Sequence, residues 1–385
     1  MTTDTVEYRR WARSCKMVHN ARHESLGAQW SRKMGKVKHG PRQQPLARHR
    51  LGTKSIDVLG LLGKGSFADV FSCKVVGKPG TMAVKIEREE KAPTLPWECF
   101  IILQLHERLR RLPREGGDCL YQLSSQVVKP DGVFFYRDGC AMMMPQGSSG
   151  TLHDLVVAYA KRAESMPQLV AMHYAIEMLR FCRGMHKVAI LHMDMKPDNW
   201  LLTPPFGTAQ VVRKGQALQR RAHSLSLIDF GGAIDLSVYP ENGSRIEFRG
   251  SYCARNFSCA AMRKGLAWKH DADLFALGSC IYFMLHGTYL EVRLDPQRQQ
   301  APVSGESGQR WRPAQHCRRY WEVHLWDNLF DELLNVDHRN ADLAQTEAML
   351  ARLEESLVSY IRDCPQRSDQ LRDLLRQQDN MLSNR

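Results

Sequence analysis

The hydrophobic period of the chain changes near residue 150, and few folds accommodate such a change. From Leu51 onward, the runs "IDVLGLLGKG", "FADVFSCKVV" and "TMAVKIE" are short, rich in β-branched and aromatic residues, and separated by Gly and Pro signals. They predict an antiparallel sheet. One helical stretch interrupts them near "PWECFIILQLHERLRRL", where Phe100 and Leu103 recur at helix spacing. Beyond residue 150 the spacing turns helical. Leu169, Met172, Ile176 and Leu179 share one face, "LFALGSCIYFML" is apolar all round, and Leu343, Leu350, Leu353 and Leu357 fall in register. Residues 292–318 read as a polar loop rich in Gln, Arg and Pro. The expectation is an α+β, bilobal fold: a small antiparallel-sheet lobe over 51–148, a larger helical lobe over 149–362, a basic extension over 1–50 and a helical tail over 363–385. Clefts between such lobes are where ligands sit.

Composition narrows the function classes. A chain of 385 residues with 43% hydrophobic content can bury a substantial core and is not a disordered chain. Residues 1–50 hold 12 Lys and Arg against 3 Asp and Glu, a local +9 out of the +13 total, so the basic character is concentrated in one arm. The arm has little periodicity and reads as a segment that orders only against something else. The eleven cysteines include no closely spaced metal-type pair and stand singly in apolar contexts, which fits reduced thiols used as core filler. Leu274 to Leu285, the longest apolar stretch, is too short to span a bilayer, and no secretory h-region opens the chain. No membrane role and a nuclear or cytoplasmic compartment are expected.

Four groups of residues carry chemistry. In "LLGKGSFADV", Gly63 and Gly65 sit between strand-like runs, where backbone amides can approach a polyphosphate with no Cβ in the way; a plain hairpin turn is the competing explanation. In "MAVKIE", Lys85 lies mid-strand, a costly place for an ammonium unless anions meet it or it lies on a solvated face. Glu98, in the following helix-like stretch, is a candidate partner. In "ILHMDMKPDNWLL", Asp194 is placed to accept a proton from a hydroxyl, Lys196 to steady a phosphoryl group and Asn199 to ligate a cation. In "LSLIDFGGAIDL", Asp229 ends an apolar run before Phe-Gly-Gly, a hard oxygen ligand suited to Mg²⁺ on phosphates. Singly, "KPDN" is good turn chemistry and "DFGG" an acceptable hairpin tip. In this order they make the parts list of a phosphotransferase.

At these residues the chain resembles the eukaryotic protein kinases over about 52–362. Lys196 after Asp194 has the Ser/Thr form, and it argues against small-molecule phosphotransferases that share a His-x-Asp loop. Trp97-Glu98, "GSSGTLHDL", "MDMKPDNWLL", "IDFGGAIDL" and "DLFALGSCIYFMLHGTYLEV" look like the BUB-type mitotic checkpoint serine/threonine kinases, as does an insertion at about 203–224. The resemblance implies nucleotide contacts at Gly63, Gly65, Val70, Ala83 and Lys85, a Lys85–Glu98 ion pair, and a hinge at Pro145, Gln146 and Gly147. It implies that Asp194 is the proton acceptor, Lys196 the phosphate contact, and Asn199 and Asp229 the Mg²⁺ ligands, with Asp273 as the buried anchor of the catalytic loop.

Three positions depart from the pattern. Ala68 replaces the third glycine of the phosphate loop. Met193 stands where most kinases have an Arg that reads an activation-loop phosphate, which implies activity independent of such phosphorylation. Ala261 stands where the resemblance expects a Glu closing the activation segment and pairing with a buried Arg. The expectation is therefore an ATP- and Mg²⁺-dependent protein Ser/Thr kinase acting at kinetochores on chromatin-associated protein substrates, alongside checkpoint proteins. The alternative, to which Ala261 points, is a pseudokinase scaffold. For the basic arm, weak nucleic-acid contact and packing along the small lobe are both open, with Tyr8, Trp11 and Trp30 favouring packing.

Overall fold

Seven strands before residue 146 form one sheet, in the spatial order β1-β6-β7-β5-β4-β3-β2. The computed structural model describes all residues except 1–5, 16–17, 22–24, 27–44, 66–67, 89–93, 114–119, 148–149, 204–223, 244, 251–253, 296–309, 338, 340–341 and 384–385. The chain divides into two compact units. One comprises Met1–Arg108, Val127–Gly147 and Asp229–Ala233, the other Leu109–Gln126, Ser148–Ile228 and Ile234–Arg385.

In the first unit, helix α1 (Val6–Ser14) precedes strands β1 (Val18–Ala21), β2 (Ala47–Leu51), β3 (Lys54–Lys64), β4 (Ala68–Val75) and β5 (Met82–Arg88). Helix α2 (Leu95–Arg110) and strands β6 (Gly132–Tyr136) and β7 (Gly139–Pro145) follow. All pairs are antiparallel except β1 with β6, which run parallel. That exception lies in the basic arm, where no alternation foretold a strand. The sheet's apolar face buries Ile56, Val58, Phe71, Val84, Ile86, Phe134 and Met143. Against α2 lies a cluster that the arm completes: Tyr8 and Trp11 of α1 meet Phe100 at ring-centroid distances of 5.7 and 5.6 Å, and Tyr8 is 5.9 Å from Trp97. Offset and edge contacts of this kind add to area burial. Trp30 lies outside the described residues.

The second unit is helical: α3 (Leu152–Lys161), α4 (Gln168–Lys187), the short α5 (Ala260–Arg263), α6 (Asp271–His286), α7 (Val323–Leu334), α8 (Leu343–Arg362) and α9 (Pro365–Ser383). Two-stranded ladders pair β8 (Ile190–Leu191) with β11 (Ile234–Asp235) and β9 (Trp200–Leu202) with β10 (Leu225–Leu227). Every residue of α6 from Asp271 to Leu285 is buried, as an all-round apolar helix requires. Helix α4 packs against α8, and Arg180 Nε donates to Glu354 across that interface at 2.8 Å.

The polar loop expected over 292–318 contains a short hairpin: β12 (Val292–Leu294) pairs antiparallel with β13 (Trp311–Pro313). Three-residue strands carry no readable alternation. Tertiary contacts make this one, since the Asn335 side chain bonds Trp311 N and O and Arg310 donates to Asp331. Most of the 203–224 insertion lies outside the described residues. Nine cysteines are free among the described residues, six of them buried. No helix among those residues is long and apolar enough to cross a membrane.

Candidate active site

The sheet register explains why the glycine loop and the strand lysine belong together. Gly63 on β3 pairs with Val70 on β4, and Val70 pairs with Lys85 on β5, so the three stand in one cross-strand row. Ala83, two residues before Lys85, shares that face. The residues between the glycines and β4 are tight: Gly65 N donates to Ala68 O at 2.8 Å, and a Cβ on Gly65 would sit 3.1 Å from the same oxygen. Pro145 ends β7, and Gln146 follows with its Oε1 accepting from Ser72 Oγ at 2.7 Å; Gly147 is exposed beyond it.

Lys85 is met by two carboxylates. Its Nζ lies 2.8 Å from Glu98 Oε2 and 2.7 Å from Asp229 Oδ1. Burial alone would drive the amine toward its neutral form, but Glu98 and Asp229 outweigh it and hold the ammonium above its ordinary pKa. Burial pushes the Glu98 carboxyl up to about 7, with Lys85 pulling the other way.

Local folding builds this cluster. Glu87, two residues along the strand from Lys85, accepts from Thr94 N, Thr94 Oγ1 and Leu95 N, satisfying donors that the first turn of α2 leaves open. Glu98 lies one turn further along, with its own N–H on Thr94 O. Residues Asp229–Ala233 belong to this first unit although the helical half surrounds them in sequence, and Trp97 Nε1 fastens them by donating to Ala233 O at 2.9 Å. Asp229 is left-handed, with φ of 68°. A Cβ on Gly231 would be tight against Thr94 Oγ1, at 3.3 Å, and in ordinary contact with Asp229 Oδ1 and Glu98 Oε2, at 3.6 and 3.8 Å.

The second unit carries the Asp-x-Lys-x-x-Asn loop. Lys196 Nζ donates to Asp194 Oδ2 at 2.6 Å, and Asn199 Nδ2 donates to the Asp194 carbonyl at 2.8 Å and to Oδ2 at 3.2 Å. The Asn199 amide nitrogen is thus spent inside the loop, and its Oδ1 has no protein donor among the described residues. The Asp194 side chain is 30% exposed.

Asp273, in the first turn of α6, holds the loop backbone: Oδ2 accepts from His192 N and Oδ1 from Met193 N, each at 2.8 Å. His186 Nε2 lies 3.1 Å from Oδ2. Burial opposes the charge on Asp273, but the His186 hydrogen bond, the neighbouring histidines and the Met193 N–H keep its carboxyl below the usual carboxylate range. The loop is bent hard here. Met193 has φ of 69° and is buried, 4% exposed, and it carries no charge.

Sequence reasoning assigned no role to His192 or Glu177. His192 Nδ1 accepts from Asp194 N and its Nε2 reaches Ile228 O at 3.1 Å, which sets the tautomer and ties the loop to the strand leading into Asp229. Its signal was a lone His two residues before Asp194 among apolar neighbours. Glu177, buried in α4, accepts from Ser224 N and Leu225 N, where the chain returns from the insertion. Burial pushes its carboxyl up to about 7 against those bonds. Its standing as the single acid of α4 was the available signal.

The protein kinase domain family model matches residues 56–372. The mitotic checkpoint serine/threonine-protein kinase BUB1 of Arabidopsis thaliana is 31% identical over 330 residues, covering 85% of this chain and 58% of that protein. The Mus musculus protein of the same name is 28% identical over 75% of this chain and 24% of its own length. The Saccharomyces cerevisiae spindle assembly checkpoint kinase BUB1 is 25% identical over 83% and 29%. The chain therefore spans between about a quarter and three fifths of the length of these relatives. The crystal structure of the BubR1 kinase domain superposes with a TM-score of 0.70 at 23% identity, covering 99% of this chain and 96% of that one. The fold is thus the kinase fold, an antiparallel-rich sheet lobe with a helical lobe, and the chain belongs to the protein kinase family with BUB1-type checkpoint kinases among its relatives.

Proposed function

We propose that the protein is an ATP- and Mg²⁺-dependent serine/threonine kinase of the mitotic checkpoint type, acting on chromatin-associated proteins at kinetochores. The observation that carries this reading is the pair of organised charge clusters, Lys85–Glu98–Asp229 and Asp194–Lys196–Asn199, since a pure scaffold has no chemical need of both. In this reading residues 51–148 form the nucleotide lobe and 149–362 the substrate lobe, with 1–50 as an extension and 363–385 as a tail.

The residues present fit Mg-ATP. The Asn199 Nδ2 is spent on Asp194, which leaves its Oδ1 without a protein donor among the described residues, Asp229 adds a carboxylate, and both supply the hard oxygen donors that Mg²⁺ takes. Asn199 and Asp229 would hold the metal, Lys85 and the amides around Gly63 and Gly65 the phosphates, and the segment Pro145–Gly147 the base. Bound Mg-ATP supplies the transferable phosphoryl group and offsets its charge. Val70 and Ala83 would line the base and exclude water. Asp194 accepts the proton of the substrate hydroxyl, and Lys196, already at 2.6 Å from Asp194 Oδ2, turns to the transferred group.

The buried Met193 and the anchorage of its N–H on Asp273 support activity without a phosphorylated activation segment, because the loop is held by a carboxylate and not by an arginine waiting for phosphate. A scaffold reading rests on Ala261, which has no carboxylate with which to close the substrate loop. Incubation of the pure chain with radiolabelled ATP, Mg²⁺ and a histone-rich substrate separates the two. Label transferred by the wild type and lost in Asp194→Asn supports the kinase; no transfer by the wild type, or transfer that survives the substitution, supports the scaffold.

A further inference from the structure

Residues 254–259 lie just before α5, and in the kinase reading on which this inference rests they are the backbone that presents the substrate chain. Ala261 offers that backbone nothing, yet it is well fastened. Arg263 Nε donates to Ser258 O and Arg263 Nη2 to Arg255 O, both at 2.8 Å. The guanidinium carbon lies 5.0 Å from the centroid of the Phe275 ring on α6. Ser279 Oγ, one helical turn beyond Phe275, donates to Asn256 O at 2.8 Å, and Cys259 Sγ to Asp271 Oδ2 at 3.3 Å.

The direction of the Arg263 bonds decides what they do. An arginine in the last turn of a helix ordinarily caps that helix's final carbonyls. Arg263 instead reaches back past the start of α5 to two carbonyls three residues apart, which is the span of the single 3₁₀ turn Arg255–Phe257. Two fixed donors on one rigid plane match that spacing, and the face of the same plane rests on an aromatic ring.

We propose that Arg263 is the positioning residue of the substrate-presenting segment, holding Arg255–Ser258 in shape from the helix that follows it and making an ion pair at position 261 dispensable. It acts through the backbone of 255–258 and touches no reacting atom.

The test compares wild type, Arg263→Ala and Arg263→Lys by steady-state kinetics with separate titrations of ATP and a peptide substrate, and by hydrogen exchange of the segment's amides. Arg263→Ala should raise the peptide KM about tenfold or more while the ATP KM stays within about twofold, since a misplaced segment weakens substrate positioning alone. Exchange at residues 256–258 should accelerate. Arg263→Lys, which grips one carbonyl at a time, should fall between the two. An unchanged peptide KM, equal increases in both KM values, or full activity in Arg263→Lys would overturn the proposal. If Arg263→Ala does not fold, Arg263→Lys alone carries the comparison. If the wild type transfers no phosphate, the kinase reading fails, and exchange still decides the positioning role: faster exchange at 256–258 sustains it and unchanged exchange ends it.

Discussion

The buried carboxylates of the two units meet different partners. Glu98 meets an ammonium 2.8 Å away on a neighbouring strand, whereas Asp273 meets the backbone N–H groups of His192 and Met193 and the ring of His186. An ion pair between side chains of separate elements can part and re-form, and it leaves a costly buried charge whenever one partner goes. A carboxylate bonded to backbone has no such freedom and dictates the shape of the loop it holds, here including a left-handed Met193. Under the proposed function, the first unit would contain an adjustable grip on phosphate and the second a rigid template for the proton acceptor.

The difference can be broken from either side. The largest effect is expected from Lys85→Met, which strands Glu98 without its cation: stability should fall by about 3 kcal/mol at pH 8, less at pH 5 where Glu98 takes up a proton, and phosphoryl transfer should drop to background. Urea titrations at the two pH values check this, and a loss that does not vary with pH would show that the pair is not what holds Glu98. Next is Asp273→Asn, whose amide keeps only one acceptor oxygen for two N–H groups. A loss of about 1–3 kcal/mol and a 10- to 100-fold drop in transfer are expected on that ground. Unaltered transfer would remove Asp273 from the template.

Glu177 sharpens the comparison, being a buried carboxylate met by backbone N–H groups yet still raised from 4.5 to about 7. The folded chain binds that proton more tightly than the unfolded chain, so between those values stability falls as pH rises, and the full penalty is present above about 7. Glu177→Gln should flatten this slope by on the order of 1–3 kcal/mol between pH 5 and 8, read from unfolding midpoints. A slope equal to that of the wild type would contradict the assignment. The smallest effect is expected from Tyr8→Ala, about 1 kcal/mol from lost ring contacts with Trp97 and Phe100, visible as a lower Tm. An unchanged Tm would mean that α1 adds nothing to the stability of the first unit.

What the sequence made legible followed from strong local signals. The all-round apolar run after Asp273 became a helix buried through its length, and the alternating runs around Lys85 became neighbouring strands whose pairing puts Gly63, Val70 and Lys85 in one row. Lys85, Glu98 and Asp229 could be named because a charge within an apolar run is conspicuous. The parallel pairing of β1 with β6, the β12–β13 hairpin and the cap that Glu87 supplies to α2 were not legible, since each depends on residues brought together from distant segments. Arg263 escaped notice for the same reason. Its partners are carbonyl oxygens, which every residue carries and no sequence pattern marks.

The division of labour between the two clusters is tested most directly by measuring nucleotide affinity and phosphoryl transfer on the same preparation of Asp194→Asn. The account predicts Mg-ATP affinity within about twofold of the wild type and a transfer rate lower by about 10²- to 10⁴-fold, the usual worth of a positioned proton acceptor. Transfer at the wild-type rate, or loss of nucleotide binding along with transfer, would contradict it.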